Sequence, residues 1–284
     1  MFNSLYICDI MNFDYIMEKC VMAKLDGKKR IVVKVGTSTL THDTGKTNIA
    51  RIERIAMVLS DLKNEGHEVV LVSSGAVGIG SAKLGFAHKP SSTQGLQASA
   101  AVGQCELMFL YDKMFSEFGV IVSQLLCTAD TLVNELEKQN LTNTFNQLLD
   151  YGALPIVNEN DSVYVEELLN GDNDCLSANI ASLIDADLLI LLTDTDGLYD
   201  SNPSENPNAS LISRVDCIDD GIVSIAGSAG EKGTGGFATK IKAAQIATSA
   251  GIPVVIMNGS NPSAIYDVLH GKSVGTYFCA GSEL

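Results

Sequence analysis

The sequence predicts an α/β fold, with a mostly parallel sheet and helices on both of its faces. Three observations carry this. Short apolar runs alternate with stretches of helical periodicity from Arg30 onward. Several runs, such as Val69-Val70-Leu71-Val72 and Leu188-Leu189-Ile190-Leu191-Leu192, are apolar at every position, as expected of strands covered on both faces. The 284 residues, 46% of them hydrophobic, are enough for one large α/β domain or two small ones.

In chain order, strands are predicted at 31–36, 68–73, 119–125, 154–158, 187–193 and 253–257. Helices are predicted near 48–65, 93–117, 142–151, 174–185 and 238–250. The leading segment, Met1 to about Lys29, is broken by Asp9, Asp14 and Glu18 and lacks the apolar core of a signal peptide. It reads as an N-terminal extension, either a short extra helix or a stretch ahead of a true start at Met22, and is assigned no chemistry. The first strand, Ile31-Val32-Val33-Lys34-Val35-Gly36, breaks into the small-residue turn Gly36-Thr37-Ser38. Helix 48–65 carries Ile52, Ile55, Ala56, Leu59 and Leu62 at three-and-four spacing and stops at Gly66. Strand 68–73 follows almost at once. The segment 194–236, with Asn202-Pro203, Asn206-Pro207 and many glycines, reads as a long excursion. No repeat, low-complexity tract or proline-rich linker divides the chain, so 30–284 is read as one domain.

Nineteen basic against 34 acidic residues give a net charge of −15, which argues against nucleic acid or an anionic membrane as partner. No run reaches the roughly 18 apolar residues of a membrane span. The seven cysteines (8, 20, 105, 127, 175, 217, 279) are scattered without a C-x-x-C pair, which fits reduced thiols in the cytoplasm better than a disulfide framework. The four histidines lack zinc-type spacing, so no structural metal is expected. A phosphate-bearing ligand would be repelled by the overall field. Local lysines, helix N-termini and Mg²⁺ would have to supply the attraction.

Ligands of parallel sheets gather at the carboxyl ends of the strands. Small and polar residues stand at four such ends here: Gly36-Thr37-Ser38, Ser73-Ser74-Gly75, Asn158-Glu159-Asn160-Asp161 and Thr193-Asp194. That clustering predicts one shared site. A lone lysine near a strand end is ordinarily a snorkelling surface residue. Lys34, however, stands among Ile31, Val32, Val33 and Val35, where a buried charge would need an anionic partner. Gly233-Thr234-Gly235-Gly236-Phe237-Ala238-Thr239-Lys240 places glycines ahead of a helix, freeing its first amides for an anion, with Lys240 one turn in. The other reading is a flexible loop with a surface lysine.

Asn158 to Asp161 and Gly171-Asp172-Asn173-Asp174 concentrate carboxylates and amides that either form Asx turns or bind an ammonium group and orient a lysine. Thr193-Asp194 reads as a cap or as a ligand contact. Two segments are decoys. Gly45-Lys46-Thr47 looks like the end of a P-loop, but Leu40 stands where that loop needs glycine; a turn with Thr47 capping helix 48–65 is expected instead. Gly75-Ala76-Val77-Gly78-Ile79-Gly80 does not have the order G-x-G-x-x-G. It reads as tight packing of a helix on a sheet, and is also consistent with backbone amides approaching a phosphate.

Taken in order, these segments closely resemble the glutamate 5-kinases of the amino-acid kinase superfamily, from about Arg30 to the end. The match runs through Val33-Lys34-Val35-Gly36-Thr37-Ser38, Ser73 to Val77, Ala101-Val102-Gly103-Gln104, Pro155 to Asp161, Gly171 to Asp174, Leu192-Thr193-Asp194 and Gly233 to Gly236 with Lys240. Any one motif is weak; the ordered set is highly specific. The resemblance implies a three-layer α/β/α sandwich holding ATP beside L-glutamate. It implies that Ser74, Asp161 and Asn173 grip the amino acid. Thr193, Asp194 and the turn Thr234, Gly235, Gly236, Phe237, Ala238, Thr239 and Lys240 would receive the nucleotide. Lys34 and Lys240 would stabilise the transferring phosphoryl group, with Asp174 holding both lysines. Mg²⁺ would be held mainly by the nucleotide phosphates, with no protein-borne metal site.

Members of the family feed proline synthesis, are inhibited by L-proline and form homo-oligomers. Many bacterial members continue into a C-terminal RNA-modification-type (PUA) domain, which this chain, ending at Leu284, is expected to lack. The segment to Lys29 also lies outside the pattern. The implied acceptor, a side-chain carboxylate with an ordinary pKa of about 4.3, is ionised at neutral pH, so no catalytic histidine is required. Rival readings are a related kinase acting on aspartate, acetylglutamate or a nucleoside monophosphate, and a non-catalytic amino-acid or nucleotide sensor of the same fold.

Overall fold

In the computed structural model of the chain, the described residues are 27–42, 44–163, 173–203, 205–228 and 236–281. Their strands are β1 (Arg30–Val35), β2 (Glu68–Ser73), β3 (Val122–Cys127), β4 (Leu154–Glu159), β5 (Leu188–Thr193), β6 (Arg214–Val215), β7 (Val254–Asn258) and β8 (Thr276–Phe278). Their helices are α1 (Thr37–Leu40), α2 (Ile49–Asn64), α3 (Ala76–Lys83), α4 (Thr93–Ser116), α5 (Ala129–Val133), α6 (Glu135–Asp150), α7 (Asp174–Leu183), α8 (Asp220–Ser228), α9 (Phe237–Ser249) and α10 (Ala264–Leu269).

The strands form one sheet in the order β3-β4-β2-β1-β5-β7-β8-β6. The run from β3 to β7 is parallel throughout; β8 pairs antiparallel with β7, and β6 parallel with β8. The carboxyl ends of β1, β2, β4, β5 and β7 therefore lie along one edge. β1 sits centrally, with β2 on one side and β5 on the other. Strand order reverses there, which is where open α/β sheets place ligands.

Strand parity sorts the core into two layers. Val32, Val70, Val72, Leu189, Leu191 and Ile256 face α6, α7, α8 and α9. Ile31, Val33, Val35, Leu71, Ile190 and Met257 face α2, α3, α4 and α10. This is the expected α/β/α sandwich. Burying each such Val, Leu or Ile side chain contributes about 1.5–3 kcal/mol.

Helices Ala76–Lys83, Ala129–Val133, Asp220–Ser228 and Ala264–Leu269 and strand Thr276–Phe278 add to the elements expected from the sequence, and four further differences have a local cause. Helix α2 is capped by Asn48, whose side chain accepts from the Arg51 amide at 3.1 Å, and not by Thr47. Thr47 instead bridges to Thr41 across the turn at Gly45. β3 begins at Val122 because Gly119 (φ 70°) and Val120 close the end of α4, Val120 N–H bonding to Phe115 O at 3.1 Å. α6 starts at Glu135, where the Asn134 side chain accepts from the amides of Leu136 and Glu137. Its first turns are exposed, so no apolar stripe marks them. The excursion after β5 contributes the short strand β6, tied back where Thr276 Oγ1 donates to Ile212 O and accepts from Leu198 N–H.

Gly80 of α3 and Gly103 of α4 pack a helix on a helix, not a helix on the sheet. A Cβ at Gly80 would overlap the carbonyl of Ser99, and one at Gly103 would overlap that of Ala76. The two backbones touch with nothing between them. Gly75 (φ 98°) makes the left-handed turn that carries β2 into α3.

Candidate active site

Lys34 shares the parity of Val32, so its side chain is aimed into the layer occupied by α7 and α9. Both helices begin at the carboxyl edge of the sheet. Asp174 opens α7, and Lys240 lies one turn into α9 behind the cap residue Gly236. The three side chains meet. Lys34 Nζ pairs with Asp174 Oδ1, and Lys240 Nζ donates to Asp174 Oδ2 at 3.0 Å. Thr239 Oγ1 lies 3.2 Å from Asp174 Oδ2 and 2.8 Å from the Gly236 carbonyl, two acceptors that share its single proton. Asp174 is fully buried, and Lys34 and Lys240 are 4% and 8% exposed.

Two buried ammonium groups converge on one carboxylate here, and buried charges are costly unless they are paired. The N-termini of α7 and α9, helices of 10 and 13 residues, add their dipoles at the same edge. Gly36 keeps the neighbouring space clear, since a Cβ there would stand 3.7 Å from Lys34 Nζ. Cationic groups, two helix N-termini and an open backbone turn fit a phosphoryl group.

A chain of amides runs beside the triad. Asn173, the cap residue of α7, donates through Nδ2 to Ser73 O (2.5 Å) and to Asn158 Oδ1 (2.6 Å). Asn158 Oδ1 also accepts the Glu159 amide at 3.0 Å, and Asn158 Nδ2 donates to Gln104 Oε1 at 2.8 Å. Ser73 Oγ is bonded to the buried Tyr111 hydroxyl at 2.9 Å. The sequence places Ser73 in the strand-end cluster and Gln104 in a matching motif without an individual role for either, and gives no sign of Tyr111. A glutamine in the small-residue helical run Ala100-Ala101-Val102-Gly103-Gln104 was the one available signal.

Asp161 follows β4 and shares a small recess with Gln104, Glu159 and Ala100. Burial pushes its carboxyl up to about 6, against the opposing pull of Lys89. Ser74 is 9% exposed and its N–H bonds to Val35 O at 3.1 Å, joining the ends of β1 and β2. Thr193 and Asp194 stand at the end of β5 and bond to each other (Oγ1 to Oδ1, 3.1 Å) without reaching the triad. Gly236, Phe237 and Ala238 form the start of α9; Thr234 and Gly235 lie outside the described residues. A cavity of about 230 Å³ between Leu188, Val255, Val268 and Tyr277 lies near the amino ends of β5 and β7, and none of the candidate residues lines it. Among the described residues no helix is long and apolar enough to cross a membrane.

The chain has counterparts among known proteins. The model of the amino acid kinase family matches residues 29–258. The chain belongs to that family. Within it, this kinase is 53% identical over 253 residues to a glutamate 5-kinase of Clostridium tetani, an alignment spanning 89% of this chain and 95% of that protein. It is 50% identical over 261 residues to a glutamate 5-kinase of Clostridium perfringens, spanning 90% and 97%. At that identity and coverage the kinase falls in the glutamate 5-kinase branch. Its fold also matches the crystal structure of UMP kinase from Ureaplasma parvum, with a TM-score of 0.61 over 89% of this chain and 99% of that one at 17% identity.

Proposed function

We propose that this kinase transfers the γ-phosphoryl group of ATP to the side-chain carboxylate of L-glutamate, giving ADP and L-glutamyl 5-phosphate, the first step of proline biosynthesis. One observation carries the reading: two buried lysines converge on Asp174 where α7 and α9 begin. The similarity to the clostridial glutamate 5-kinases supports the choice of acceptor.

A carboxylate oxygen of glutamate attacks the γ-phosphorus, and the bond to the β–γ bridging oxygen breaks. ADP leaves with the electron pair. The acceptor is already ionised, so no proton moves. What opposes reaction is the approach of an anion to a polyanion. Lys34 and Lys240 neutralise charge on the transferring group, and Asp174 holds the two ammonium groups in place, so that they need little reorganisation. Ser74, Asp161 and Asn173 hold the amino acid. Thr193, Asp194 and the turn from Thr234 to Lys240 receive the nucleotide.

Mg²⁺ carried by the nucleotide phosphates would shield their charge. L-Proline inhibition, a homo-oligomeric assembly and a cytoplasmic location belong to the same proposal. The test is ADP release dependent on L-glutamate, with the acyl phosphate trapped by hydroxylamine. Release that is indifferent to glutamate, or no hydroxamate, would rule the assignment out.

A further inference from the structure

The amide chain has a direction, and two backbone groups set it. Asn173 faces the carbonyl of Ser73, which can only accept, so its amide nitrogen must point there. That nitrogen also donates to Asn158 Oδ1, so both of its hydrogens are used and Asn173 presents Oδ1 outward as an acceptor. Asn158 Oδ1 faces the backbone N–H of Glu159, which can only donate, so the oxygen of Asn158 is fixed and its nitrogen turns toward Gln104. Gln104 must therefore meet it with Oε1. Its Nε2, with two hydrogens, is left without a partner among the described residues. Asn158 thus separates an acceptor at one end from a donor at the other.

The α-carbon of an amino acid carries the complementary pair, an ammonium that donates and a carboxylate that accepts. We propose that Gln104 Nε2 receives the α-carboxylate of the amino-acid substrate, while Asn173 Oδ1 and Asp161 take its α-ammonium. Gln104 is then a specificity-determining residue. Its placement agrees with this: it is half-buried and lines the recess that also contains Asp161. The inference rests on the glutamate-kinase reading and deepens it, explaining how the site admits a zwitterionic end rather than a second carboxylate alone.

The test compares L-glutamate with L-isoglutamine, which keeps the side-chain carboxylate and the α-ammonium but has a carboxamide in place of the α-carboxylate. In Gln104→Glu one carboxylate oxygen still accepts from Asn158, while the other repels an α-carboxylate and accepts from a carboxamide. The ratio of kcat/KM for glutamate over isoglutamine should fall about a hundredfold relative to wild type, as sites built to pair a polar group discriminate by such factors or more. The KM for ATP should stay unchanged. A ratio that stays at the wild-type value in an active variant overturns the inference and leaves the kinase assignment standing. If wild type lacks glutamate-dependent ADP release, both fall. Should circular dichroism show Gln104→Glu unfolded, Gln104→Met removes the donor at similar volume. It should raise the KM for glutamate about tenfold, the loss of one charge-assisted hydrogen bond, with the KM for ATP unchanged and the melting temperature lowered because Asn158 Nδ2 loses its acceptor; an unaltered KM for glutamate overturns the proposal.

Discussion

Lys34 and Lys240 hold opposite oxygens of one carboxylate, that of Asp174, although one comes from the central strand and the other from the last long helix. The carboxylate is thus a spacer between two cations as much as their partner. With both ammonium groups seated against it, neither swings freely; under the proposed function, charge stabilisation would be preorganised before substrate arrives.

Removing either lysine and removing the spacer should therefore differ. Lys34→Ala and Lys240→Ala should each lower kcat about a hundredfold or more, because a group stabilising developing charge is lost. Asp174→Ala leaves two buried ammonium groups facing each other and should also cost about 3–5 kcal/mol of stability. Steady-state rates and thermal melts of the three variants check this. Near-normal turnover in both lysine variants contradicts the assigned chemistry.

Asp161 should set an acid limb. Its carboxyl titrates near 6 in the free protein, and the ionised form is the one that attracts an ammonium. Below that pH, kcat/KM for L-glutamate should fall roughly tenfold per pH unit, since this ratio reports the free enzyme. The bound ammonium favours the carboxylate, so the limb in kcat should lie lower. Asp161→Asn should have a weaker kcat/KM at pH 8 and no limb near 6; a limb unchanged by the substitution points to another group. The stability sign follows from the same shift. An acid whose folded pKa is raised destabilises the fold where it is ionised, so Asp161→Asn should melt higher than wild type above pH 6. The difference should vanish below about pH 4, where the carboxyl is protonated in both states.

Gly103→Ala should destabilise the protein by about 1–3 kcal/mol or more, since its methyl would enter the backbone of α3. Gly119→Ala is the contrast, because a Cβ there meets nothing within 4 Å and only the left-handed φ of 70° opposes it. Urea melts of the two should separate packing from backbone conformation. Equal losses would mean that the helices part easily.

If the ion enters with ATP, as proposed, chelating Mg²⁺ should abolish ADP release while leaving the thermal melt of the nucleotide-free protein unmoved. A melting temperature that drops on chelation indicates a metal bound by the protein itself.

Much of this was legible in the sequence because the fold repeats one simple rule. Strands apolar at every position, such as Leu188 to Leu192, declare burial on both faces, and helix α2 declares its buried stripe. Asp174 and Lys240 were legible through their motifs. Other parts depend on packing that no local pattern encodes. β6 is two residues long and exists because β8 offers it an edge. The hydrogen bond between Ser73 and Tyr111 joins residues 38 apart, and Gln104 finds Asn158 only because α4 is pressed onto α3 at Gly103.

The alternation of β1 makes its length matter more than its composition. A substitution at buried Val33 acts locally, whereas one residue gained or lost between Arg30 and Lys34 would rotate the ammonium by half a turn. It would then point into the apolar layer that contains Ile55, Leu59 and Leu107. Frame, more than identity, is what this strand must conserve.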